Sequence, residues 1–133
     1  MKSIKISIPS LIENIKIIES FIDNAKERFH IDDDIYGNIM ISVTECVSNA
    51  ILHGNKGDAS KNVDLELHFD EEEIKFIIKD EGSGFEFDEL KDPTAPENLE
   101  KAGGRGIFIM KHLADDVSFE EEGRKTILKF YMY

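Results

Sequence analysis

Val63-Asp64-Leu65-Glu66-Leu67-His68-Phe69-Asp70-Glu71-Glu72-Glu73-Ile74-Lys75-Phe76-Ile77-Ile78-Lys79 is the stretch on which the architecture of this chain turns. Val63, Leu65, Leu67 and Phe69 alternate with polar residues, and Ile74, Phe76 and Ile78 alternate again after an acidic turn. Alternation with period two marks strands that turn one face to a core, and a short turn between two of them makes a hairpin. Hairpin strands run antiparallel. A doubly wound dinucleotide fold is thereby excluded, because its parallel strands are separated by crossover helices.

Outward from the hairpin, residues 2–8 alternate in the same way, with Ile4, Ile6 and Ile8 on one face, and Pro9-Ser10 ends that strand. Ser10 followed by Glu13 is a capping-box pattern and predicts a helix opening at that point. Leu11, Ile15, Ile18, Ile22, Ala25 and Phe29 form its apolar face. Asp32, Asp33 and Asp34 predict the start of a second helix, one as cap and the others as negative charge at the positive dipole end. Its stripe is Ile35, Ile39, Val43, Cys46, Val47 and Ala50. Toward the C-terminus, residues 86–102 are polar and carry Pro93 and Pro96, a length that suits either a mobile lid or plain disorder. Gly103-Gly104-Arg105-Gly106 then opens a short helix with Ile107, Met110 and Leu113, and a last hairpin runs from about Val117, turning near Gly123. The order β-α-α-β-β-loop-α-β-β predicts an α+β two-layer sandwich. A mixed, largely antiparallel sheet is covered on one face by helices, in a single domain over residues 1–133.

Composition narrows the function. With 16 Lys and Arg against 28 Asp and Glu, the net charge is −12, which opposes nucleic-acid binding through phosphates and suits a basic protein partner. The single cysteine, Cys46, forms no internal disulfide. No apolar run long enough for a membrane is apparent, and residues 1–9 lack a signal-peptide core, so the expected location is cytoplasmic.

Three clusters carry candidate chemistry. Glu45 and Asn49 are spaced by four, one turn apart on one helix face, with Asn38 and Ser42 continuing the polar stripe. A carboxylate there can take a proton from a hydroxyl while an amide oxygen ligates Mg²⁺; the same residues also suit a solvated face. Asp80-Glu81-Gly82-Ser83-Gly84 follows a strand directly. An aspartate at a strand end accepts a hydrogen bond from an exocyclic amine such as adenine N6 and repels the guanine carbonyl, and the glycines admit a flat ligand; an ordinary Asp/Gly turn is the other reading. Gly103-Gly104-Arg105-Gly106 at a helix start is either an anion site of free N–H groups or a hinge.

The order Glu45-Cys46-Val47-Ser48-Asn49-Ala50-Ile51-Leu52-His53-Gly54, Asp80-Glu81-Gly82-Ser83-Gly84 and Gly103-Gly104-Arg105-Gly106 resembles the GHKL superfamily of ATP-binding domains, the Bergerat fold. The chain is most similar to its smallest branch, the anti-sigma factor serine kinases of bacteria. The stretch from Arg105 to Met110, followed by Asp115-Asp116-Val117, also looks like that branch. The resemblance implies ATP and Mg²⁺ as cofactors, with Glu45 as catalytic base and Asn49 as metal ligand. It implies that Asp80 holds the adenine amine, that Gly82 and Gly84 shape the adenine pocket, and that Gly104, Arg105 and Gly106 meet the phosphates. Thr126 would join the water network around adenine. It further implies transfer of the γ-phosphate to a serine of a STAS-type anti-sigma antagonist, sequestration of a sigma factor, and a homodimer. The alternatives are a nucleotide-dependent regulatory binding module without phosphotransfer and a detached histidine-kinase-type catalytic domain.

Overall fold

The computed structural model describes residues 2–82 and 104–132. Five strands form one sheet: β1 (Lys2–Pro9), β2 (Asn62–Phe69), β3 (Glu73–Lys79), β4 (Asp116–Glu120) and β5 (Lys125–Tyr131). Their order is β1-β2-β3-β5-β4, and every neighbouring pair is antiparallel. The expected mixed component is absent from the described strands. Among the described residues, three α-helices accompany the sheet: α1 (Ile15–Phe29), α2 (Asp33–Asn49) and α3 (Gly104–Leu113). The result is an α+β sandwich of the kind the strand and helix order predicts.

Register explains why the helices cover one face only. Ile8 pairs with Val63, Leu65 with Ile78, Phe76 with Leu128, and Ile74 with Phe130, so the buried side chains of four strands lie in continuous rows. The intervening residues, including Lys5, Glu66, Lys75 and Lys129, stand on the other face. A one-residue slip of any strand would exchange the two sets, which holds the register firmly. Ile18, Ile22, Ala25 and Phe29 of α1, with Ile39, Val43, Cys46 and Val47 of α2, pack onto the apolar face. Fully burying each of these large aliphatic side chains stabilises the fold by about 1.5–3 kcal/mol. Replacing Ile22 or Ile39 with alanine would cost about 2–5 kcal/mol, because the cavity adds to the lost transfer energy.

Two helix starts differ from expectation. Ser10 does not cap a helix: Ile12–Asn14 is a single 3₁₀ turn after Leu11, without a side-chain cap bond, and α1 begins only at Ile15. Ser10 is instead fully buried and donates its hydroxyl to the Lys61 carbonyl at 2.7 Å. Its oxygen accepts from the Asn55 amide at 2.7 Å in place of a local helix N–H, and Leu11 is left 38% exposed instead of joining the core face. At α2, Asp32 occupies the N-cap position without a side-chain cap bond. Asp33 pairs with Lys26 of α1 at 3.0 Å, so part of the acidic start serves the α1–α2 junction.

Helix α2 continues into a wider turn, a π-helical segment at Ala50–Gly54. The Asn55 N–H reaches back five residues to the Ala50 carbonyl at 2.8 Å. By length and composition alone, the 22-residue span Asp33–Gly54, which holds an 18-residue window of mean hydropathy 1.2, could cross a membrane, which the sequence pattern did not suggest. Packing accounts for that apolarity differently. Ile39, Val43, Val47 and Ile51 are each fully buried against the sheet and neighbouring helices, as befits a central core helix.

Candidate nucleotide site

The site is built where three elements end. The alternation of β3 continues one step past the strand, so Asp80 shares the inward face of Ile74, Phe76 and Ile78. The Asp80 N–H donates to the Arg124 carbonyl at 2.9 Å, a last rung on the β3–β5 ladder. The carboxylate therefore points into the helix layer and is only 8% exposed. Burial pushes its pKa above the ordinary aspartate value, opposed by the Gly82 N–H donating to Oδ1 at 2.8 Å. Oδ2 has no hydrogen-bond partner among the described residues. A buried carboxylate with one oxygen unpartnered among the described residues is fitted to receive a donor from a ligand.

The π-helical turn brings Gly54 against this acid. A β-carbon at residue 54 would stand 2.9 Å from Asp80 Oδ1 and closer still to Oδ2, and one at residue 82 would fall onto the Gly54 carbonyl. Only glycine fits at both places. Such wide turns are uncommon and recur at functional sites, since they displace a helix end without breaking its hydrogen bonding. Beside them Gly54, Asn55, Lys56, Asp58, Lys61 and Gly82 line an open cleft of about 460 Å³.

The second juncture joins α2 to α3. Gly106, buried in the first turn of α3, sits beside the Asn49 carboxamide; a β-carbon there would lie 2.5 Å from Nδ2 and 3.2 Å from Oδ1. Asn49 and Glu45, one turn earlier, are both half-buried, and neither side chain has a hydrogen-bond partner among the described residues. Gly104 and Arg105 lie in the backbone of the same first turn of α3. Gly84 lies outside the described residues, as do all the residues between the second and third motifs.

Thr126 is 7% exposed on the inward face of β5, opposite Ile78, and its hydroxyl contacts the Cys46 thiol. Burial raises the thiol to about 12, with the nearby Asp80 charge adding to the effect and Thr126 opposing it. Cys46, Thr126 and Asp80 thus share one buried corner under α2. Ser42 corrects the polar-stripe expectation: it is fully buried, and its hydroxyl has no hydrogen-bond partner among the described residues. His53 is exposed at the helix end.

Sequence reasoning missed Asn55. It is 1% exposed; its Nδ2 donates to Ser10 Oγ at 2.7 Å and to the Asn62 carbonyl at 3.0 Å, while Oδ1 accepts the Glu81 N–H at 2.8 Å. Its position directly after His53-Gly54 was the available signal, but an asparagine in a turn has an ordinary local use.

An acid at a strand end clasped by glycines, with an amide and a carboxylate on the neighbouring helix, is an arrangement distinct from the Gly-rich crossover loops of doubly wound folds. The chain belongs to the histidine kinase-like ATPase domain family, whose model matches residues 8–132. Among curated proteins it is similar to the serine-protein kinase RsbW of Staphylococcus aureus strains JH9, Newman and NCTC 8325. Each is 27% identical over 132 residues, with 93% of this chain and 82% of the relative covered.

Proposed function

We propose that this chain is a serine-protein kinase of the anti-sigma type. It binds ATP with Mg²⁺, phosphorylates a serine of a STAS-type antagonist and, in competition with that partner, sequesters a sigma factor, acting as a cytoplasmic homodimer. The observation that carries the reading is the pair of junctures just described: Gly54–Asp80–Gly82 at one end and Asn49–Gly106 at the other. A purine with its phosphates needs both ends at once. The name borne by the Staphylococcus relatives, serine-protein kinase, supports the same activity.

When bound, ATP supplies the phosphoryl group, and Mg²⁺ offsets the charge of the phosphates. Asp80 accepts the adenine amine on its unused oxygen and disfavours guanine, whose carbonyl would face a carboxylate. Thr126 supports water beside the base, and Gly82 and Gly84 leave room for the ring. Asn49 would give its carbonyl oxygen to the metal. Among the described residues no three His, Cys, Asp or Glu stand together as a metal site. Gly104 and Gly106 present backbone N–H groups at the start of α3, with Arg105 as an added cation. Glu45 takes the proton of the attacking serine hydroxyl as that oxygen bonds to the γ-phosphorus and the bond to the ADP oxygen breaks.

The test is a transfer assay with γ-labelled ATP, Mg²⁺ and a STAS-domain protein. Label is expected on a partner serine, with Glu45→Ala lowering the rate about 100-fold or more while ATP affinity stays within a few-fold. Stable sigma binding without any label would favour a regulatory binding module. Label accepted only by a histidine would favour a detached histidine-kinase-type domain.

A further inference from the structure

We propose that Asn55 is a positioning residue for base recognition: it latches the Asp80–Gly82 turn to the end of the nucleotide-binding helix and so aims the Asp80 carboxylate. This rests on the ATP reading of the site and adds the element that sets its selectivity. Beyond the rung from Asp80 to Arg124, the turn has left the sheet. Among the described residues, its one remaining backbone tie to another element is the Glu81 N–H, which Asn55 Oδ1 accepts. The Gly82 N–H bonds back within the turn to Asp80 itself. Among the described residues, Asn55 is thus the buried side chain that hydrogen-bonds this turn to the end of the helix carrying Gly54.

That side chain has no freedom in how it does this. Ser10 commits its proton to the Lys61 carbonyl, so its oxygen faces Asn55 as an acceptor. The Asn62 carbonyl is an acceptor too. Both Nδ2 protons are therefore used on one side, and Oδ1 is turned toward Glu81. An amide meets this arrangement and a carboxylate does not, since aspartate has no proton for either acceptor. The exposed Glu81 side chain adds a tie to the Asn62 N–H, but Asn55 is the buried member of the network. Strand ends 9–10 and 61–62, the π-helical turn and the adenine-binding turn meet on a single residue. A displacement of about 1 Å at such a point is enough to cost one to two orders of magnitude at the site it supports.

The experiment is calorimetric titration of the full chain with MgATP and MgGTP, for the wild type, Asn55→Ala, Asp80→Asn and the double variant. Asn55→Ala is expected to weaken ATP binding about 10- to 100-fold and to narrow the ATP/GTP ratio. In the Asp80→Asn background the same change should cost several-fold less, because the two act through one contact. Losses that simply multiply, or an unchanged ATP/GTP ratio in a folded Asn55→Ala protein, overturn the proposal. Should that variant not fold, Ser10→Ala removes one acceptor of the amide and must shift the ratio in the same direction, and no shift overturns the proposal equally. Amide hydrogen exchange of the unmodified protein separates the two levels. A Glu81 amide exchanging as fast as an open loop refutes the latch; a protected Glu81 amide in a protein that binds no adenine nucleotide refutes the ATP reading and the purpose given to the latch.

Discussion

Gly106 at the start of α3 stands against the carboxamide of Asn49 on α2, so close that a β-carbon at residue 106 would lie 2.5 Å from Nδ2. This contact is where the third sequence motif meets the first. Gly106→Ala would gain up to about 1 kcal/mol of helix propensity. The clash falls on the far end of a side chain that can turn away, so the fold should stay within about 1 kcal/mol of its present stability. The function should not. Displacing the Asn49 oxygen is expected to weaken MgATP binding about 10-fold or more while metal-free ATP binding changes less, read by titration with and without Mg²⁺.

Gly82→Ala should behave differently, because its β-carbon would meet the Gly54 carbonyl, a backbone atom fixed by the π-helical turn. Neither partner can rotate aside. A loss of about 1–3 kcal/mol in chemical denaturation is expected, together with loss of measurable ATP binding. A variant that kept both would mean that the Gly54–Gly82 approach does not shape the pocket.

Asp80→Asn separates stability from binding. Burial raises the Asp80 pKa, so keeping the carboxylate charged costs the empty fold. With the folded pKa above the unfolded one, the cost is absent below the unfolded value and complete once pH passes the folded value. The substituted amide keeps an acceptor for the Gly82 N–H and sheds the charge. The variant should be more stable at pH 7, with the difference vanishing as pH falls below the ordinary aspartate value. ATP affinity should fall and GTP discrimination should relax. Denaturation curves across pH, paired with the two titrations, check both halves.

Cys46 gives a probe of the buried corner. With the thiol raised from 9.0 to about 12, the thiolate fraction at pH 8 is about a thousandfold below that of the unfolded chain. Native protein should therefore resist iodoacetamide under conditions that alkylate the urea-unfolded form within minutes. Because the folded thiol holds its proton longer, native stability should also decline as pH rises from about 9 toward 12. Rapid native alkylation would show the corner under α2 to be open.

Much of the fold was legible in the residues. The runs 63–69 and 74–78 announce a hairpin by alternation, and Ile18, Ile22, Ala25 and Phe29 announce a helix face by steps of four and three. The Ser10–Glu13 pattern misled, because a capping box is a local preference worth about 1 kcal/mol, and in the fold the Ser10 oxygen accepts from the buried Asn55 amide while its proton goes to the Lys61 carbonyl. Ser42 misled for a similar reason. Helix periodicity groups it with Glu45 and Asn49, but packing on the neighbouring elements buries it fully.

What the order of residues determined by itself was the set of elements and the identity of the three motifs, since both depend on short-range periodicity and on side-chain chemistry at fixed spacing. Tertiary structure alone decided that Gly54 clasps Asp80, that Gly106 abuts Asn49, and that Asn55 ties the turn after β3 to residues distant in sequence. Those contacts arise from a helix widened at its end and from strands paired in one register. Neither leaves a mark on local propensity, because the energy that selects them comes from surfaces that meet only after the chain has folded.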